Sequence, residues 1–251
     1  MWLDLAVVYK NTGLAMFSDE LRNISQSNAK AMIGFASLVF AFSLASALTM
    51  ETRENGSWLV ALTDTFVLAR GIDTVLEVKA EFLLQSNFAP VFDKTRPSVA
   101  IPDHALAALD RLEELNIQYN LDYPGHHVAS YERSIRALRD AIPLSYAEPA
   151  SMTMAATRAV RIPEDFLNDI RNEKPLALVV LAHFCVFIDL CREHWCIGFW
   201  GRKVLRKILH ILDPDWRLHI DWAIGQVLGS NMTTHTSFSL KTRRINFIRH
   251  H

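Results

Sequence analysis

A chain of 251 residues, half of them apolar and 21% charged, can bury a substantial core as one large domain or two small ones. Its formal net charge of −1 argues against a nucleic-acid surface spread over the whole domain. Cys185, Cys191 and Cys196 cluster within twelve residues, an odd set unlike a secreted disulfide framework.

The first ten residues carry Asp4 and lack the basic start of a signal peptide, so a reducing compartment, cytoplasmic or nuclear, is expected. Residues 2–24 place Leu5, Val8, Tyr9, Phe17 and Leu21 at roughly helical spacing. Ser25 or Ser27 is placed to cap the next helix, over 28–50. Within it, Ala31 to Met50 runs twenty residues without a charge, long enough to span a bilayer. Gly34, Ser37, Ser43, Ser46 and Thr49 interrupt that run, and a buried central helix is the expectation, with no membrane span.

Glu54-Asn55-Gly56-Ser57 signals a turn, and a third helix follows from Trp58 to Arg70. Gly71 breaks or kinks it before another helical segment through Leu76 and Phe82. Pro90, Pro97 and Pro102 mark 87–102 as a long connection. Asp103 then starts a helix with Leu106, Leu109, Leu112 and Leu115 as its apolar stripe. Pro124-Gly125 makes a turn, and 128–142 reads as a charged amphipathic helix.

Pro163 before Glu164 and Asp165 reads as a helix start, since acids there favour the dipole. Pro175 opens the most apolar helix, whose run is interrupted by His183 and Asp189. Gly198 and Gly201 mark a break before a helix over 202–212, and Asp213-Pro214-Asp215 starts a last short helix carrying Trp216 and Trp222. No strand pattern and no internal repeat is visible. The expectation is all-α: a single compact domain of about ten helices over 1–228 with an apolar internal pocket. A basic tail over 229–251 follows, bearing Lys241, Arg243, Arg244 and Arg249.

His183, Cys185, Cys191, His194 and Cys196 are the ligand types zinc takes. On one continuous helix His183 and His194 share a face to within about 20°, yet stand roughly 16 Å apart along the axis. Cys185 and Cys196 fall on nearly the opposite side, so no metal is expected and the cysteines read as small hydrophobes. Asp73, Glu77 and Glu81 share a helix face able to hold a general acid or base, though a solvated face is the plainer reading. No phosphate loop, nucleophile elbow or dinucleotide fingerprint occurs, and no cofactor is expected. Aromatic residues in apolar helices suit a cavity for an apolar ligand with few polar anchors.

Residues 175–222 resemble a stretch of fungal zinc-cluster transcription regulators of the sterol uptake control type. The positions that carry the likeness are Pro175, Ala182-His183, Trp195, Phe199-Trp200-Gly201, Trp216 and Trp222. Residues 37–46 and 58–71 resemble further family segments in the same order, so the likeness spans about 10–225. It implies an all-helical effector domain that dimerises and, in the sterol-sensing members, holds a sterol in a hydrophobic pocket. The six-cysteine DNA-binding module has no counterpart here, so no direct DNA binding is expected.

Two functions follow from this reading. A complete protein, which Met1 favours, would fold a terpenoid or other polycyclic substrate for cofactor-free cyclisation in fungal natural-product metabolism. Such a pericyclase would need mainly shape and one or two hydrogen bonds. A fragment would be the sterol-sensing effector domain of a regulator, and a protein-binding scaffold stands below both. Buried polarity and family position together select His183 as the catalytic hydrogen-bonding group. Trp58, Phe66, Phe187, Trp195 and Trp200 are expected as the walls of the ligand site.

Overall fold

The computed structural model describes residues 2–20, 23, 25, 27–49, 59–60, 62–67, 100–146, 162–194 and 196–229. Among these the fold is all-α. The helices are α1 (Trp2–Glu20), α2 (Ala29–Thr49), α3 (Asp103–Asp122), α4 (Val128–Ser145), α5 (Glu164–Arg171), α6 (Pro175–Leu190), α7 (Trp200–Ile211), α8 (Pro214–Arg217) and α9 (Asp221–Leu228). Residues 59–60 and 62–67 are also helical, and a 3-10 turn, Leu218–Ile220, joins α8 to α9.

The core is organised around α6. Leu176 through Asp189 are all buried, so this helix is apolar on every side and must be surrounded. Helices α3, α4, α5, α7, α8 and α9 all pack on it. Each fully buried Leu, Val or Phe contributes about 1.5–3 kcal/mol, which makes α6 the main source of cohesion. Its start is encoded locally: Pro175 at the first turn has no N–H to leave unsatisfied, and Lys174 ahead of it is extended.

The surrounding helices bury one stripe each. In α3 that stripe is Ala105, Ala108, Leu109, Leu112 and Asn116, so it runs beside the expected leucine row and ends on a polar residue. Helix α4 continues three residues beyond its expected end, past Pro143 to Ser145. Gly125, at φ 102°, makes the turn between α3 and α4, where the left-handed backbone favours glycine. In α5, Glu164 and Asp165 occupy the first turn and Arg171 the last, matching the dipole at both ends.

Two expectations are corrected. The helices break between Leu190 and Trp200, so Gly198, at φ 48°, lies in the break as expected, while Gly201 lies inside α7. A side chain on Gly201 would stand 2.6 Å from the Cys185 carbonyl oxygen, so this glycine permits close packing of α7 on α6. Secondly, α2 is not the central helix. It buries Ala29, Met32, Ala36 and Val39 along one side and leaves Leu38 66% exposed, because its serines and small residues cannot fill a core on all faces. No helix among the described residues is long and apolar enough to cross a membrane.

Helix α2 packs on α1, where the Phe35 ring occupies the space a side chain at Gly13 would take and meets Phe17 with ring centroids 5.6 Å apart. The single expected helix over 213–222 is three pieces, α8, the 3-10 turn and α9, so Trp216 and Trp222 sit on separate elements.

Candidate functional site

His183 sits mid-way along α6, 2% exposed. Its Nδ1 lies 2.9 Å from the Val179 carbonyl oxygen, one turn back. A carbonyl only accepts, so Nδ1 carries the proton and donates, which leaves Nε2 as a bare acceptor in the neutral ring. Burial pulls the pKa down to about 4, outweighing the backbone hydrogen bond that favours the cation. The positive charges of Arg111 and His219 push the same way as burial. His183 is therefore a neutral imidazole of one tautomer at pH 7.

Trp222, brought in by α9, stacks on this ring with centroids 5.4 Å apart and planes 22° from parallel. Its side chain is half-buried against the core, but the indole Nε1 is fully buried and has no hydrogen-bond acceptor among the described residues. A buried N–H without an acceptor costs about 1–3 kcal/mol. His104, near the exposed start of α3, approaches the same indole at 6.4 Å. Three helices, α3, α6 and α9, thus converge on one imidazole–indole pair.

Phe187 lies one turn beyond His183 on α6 and is buried. Phe66 and Trp200 are buried in the same apolar core, Trp200 at the first position of α7. Ring pairs among the described residues do not join Phe66, Phe187 or Trp200 to His183, whose ring partner is Trp222. Trp58 and Trp195 lie outside the described residues, as do Asp73, Glu77 and Glu81. The histidine–cysteine series spans α6 and the turn after Leu190, not one continuous helix. Cys185, Cys191 and Cys196 are buried and form no disulfide, and burial pushes the Cys185 thiol well up. Among the described residues no three His, Cys, Asp or Glu side chains gather as a metal site would require.

A second buried polar cluster, absent from the sequence reading, lies where α3 ends and α4 and α6 begin. The Tyr131 hydroxyl donates to Asp169 Oδ2 at 2.9 Å, and Lys174 Nζ reaches Asp169 Oδ1 at 2.8 Å. Burial, then the Asp169 charge, drives the phenol strongly towards its protonated form. The Asn116 amide donates to the Val128 carbonyl at 3.2 Å, so its Oδ1 accepts from His126 Nε2 at 2.6 Å. The His126 ring lies 4.3 Å from that of Tyr131, and burial lowers its pKa below the usual value. No fully buried side-chain nitrogen or oxygen of this cluster lacks a partner among the described residues, as befits a structural network. At the other end of α6, buried Asp189 accepts from Arg192 and Arg202, both at 3.2 Å, and ties that helix to the start of α7.

No family model, no curated protein and no solved structure matches this chain.

Proposed function

We propose that the chain binds an apolar, polycyclic or terpenoid-like small molecule where α3, α6 and α9 meet, and that it folds this ligand for a cofactor-free ring closure. The observation that supports the reading is the buried Trp222 indole N–H without an acceptor, held against a neutral, buried His183. A donor kept dry and unsatisfied in the free protein is what a ligand oxygen would satisfy.

In this reading the apolar body of the ligand packs on the aromatic rings, while the indole N–H fixes one oxygen. Holding two reacting ends together supplies much of the barrier reduction in an intramolecular closure. A single preorganised donor adds to that by stabilising charge that develops on the oxygen. The product would be an isomer of the substrate, so no oxidant, reductant or leaving group is involved.

The test is native mass spectrometry of the purified chain, with solvent extraction of co-purifying material and incubation with terpenoid and sterol candidates. The expected result is a product of unchanged mass and new retention time, lost in His183→Ala. Recovery of a bound sterol-like molecule unchanged would replace ring closure with ligand sensing.

A further inference from the structure

The two polar atoms at the α6–α9 contact are opposite in kind. Trp222 Nε1 only donates, and it lacks an acceptor among the described residues. His183 Nε2 only accepts, because Nδ1 holds the proton for the Val179 carbonyl. The rings that carry them are near-parallel at 5.4 Å.

We infer that His183 Nε2 and Trp222 Nε1–H together read one uncharged hydroxyl, an alcohol or an enol, on an otherwise apolar ligand. The inference rests on the apolar-ligand reading above and adds to it the chemistry of the ligand's polar end. A hydroxyl supplies one proton to Nε2 and one lone pair to the indole N–H, so each group finds its complement. A ketone or an ether offers only the lone pair and leaves Nε2 unanswered. An ammonium offers only protons and leaves the indole unanswered. A carboxylate sets its charge against the Nε2 lone pair and has to be desolvated to reach so buried a ring. Burial keeps His183 neutral at pH 7, so the acceptor is available under ordinary conditions.

The experiment is a binding titration of the full chain at pH 7 with matched bicyclic probes, following tryptophan fluorescence and calorimetric heat. Decahydro-2-naphthol represents the alcohol and 2-naphthol the enol-like hydroxyl, each against its methyl ether, with naphthalene, 2-naphthoate and the 2-naphthylmethylammonium ion as further controls. The expected outcome is that a hydroxyl probe binds about tenfold more tightly than its ether, the effect of one lost hydrogen bond. His183→Phe, which keeps an aromatic ring at the contact but removes the acceptor, should erase that preference, whereas Trp222→Phe should weaken hydroxyl and ether probes alike. A preference in the decahydro pair identifies the alcohol source, and one confined to the aromatic pair identifies the enol.

Equal binding of hydroxyl, ether and hydrocarbon overturns the hydroxyl inference and leaves the apolar-ligand reading standing. Tighter binding of the naphthoate or the ammonium ion overturns it too. Absence of binding by every probe overturns both. The comparison of probes on the unmodified chain stands even where a variant fails to fold.

Discussion

The two buried polar regions, one at the start of α6 and one at its middle, differ in one respect that separates architecture from function. Around Tyr131 and Asp169 the fully buried side-chain donors and acceptors are answered among the described residues. Around His183 and Trp222 a buried donor, the indole Nε1–H, is left over. Both clusters are desolvated, so the same penalty for an unmet polar group applies to each. A closed network holds helices together, whereas an unmet buried donor is a standing cost that a ligand would remove. The strongest tests make these two regions respond differently.

Acid should separate them most. The neutral form of His183 is favoured in the fold, with a pKa of about 4 against about 6.5 in an unfolded chain. Its contribution is therefore complete above pH 6.5 and is lost as the pH falls towards 4. The loss amounts to about 3 kcal/mol on integration of that shift. His126 is also depressed and acts with the same sign, but its ring is partly exposed and solvent screening reduces its share. Urea unfolding at pH 7, 5.5 and 4 measures the effect, and His183→Phe should flatten the difference between pH 6.5 and 4. An unchanged acid response in that variant would assign the sensitivity elsewhere.

Asp169 comes next. Substituting alanine leaves the buried Tyr131 hydroxyl without its acceptor and Lys174 without its carboxylate. A loss of about 2–3 kcal/mol is expected, close to the range for hydrogen bonds to charged groups. Tyr131→Phe is milder, about 1 kcal/mol, because Asp169 keeps Lys174. Neither change should alter the hydroxyl preference at His183 and Trp222. If either one abolished it in a folded protein, the two regions would be coupled and the division drawn between them would fail.

Much of this arrangement was readable in the sequence, and its limits have physical causes. The starts of α5 and α6 were legible because prolines and first-turn acids act locally. His183 stood out as a polar residue inside an apolar run. Gly201 misled, since a glycine that permits close helix packing and a glycine that ends a helix look alike in one dimension. The apolar segments α2 and α6 were likewise hard to rank: the serines along α2 were weighed only against a membrane span, whereas they belong to a helix that leaves Leu38 exposed. Trp222 was not assigned to the site because its partner is set by how α9 folds back, which sequence spacing does not reveal. Asp169 left a signal that was overlooked: it falls with Phe166 and Ile170 on the buried side of α5, where a carboxylate needs partners.

Trp222→Phe should give the smallest change in stability and the most informative one. Truncating a large half-buried ring removes packing, which by itself destabilises. The same substitution deletes a buried donor that has no acceptor, which by itself stabilises by about 1–3 kcal/mol. Phenylalanine keeps a ring against His183, so most of the stack survives. The two effects oppose, and a net change within about 1 kcal/mol is expected in urea unfolding of the ligand-free chain. Tyr131→Phe also removes one buried polar hydrogen, but a bonded one, and offers no such compensation. A loss well above 1 kcal/mol in Trp222→Phe would mean that the indole N–H is answered in solution, and the case for an open polar pair would end there.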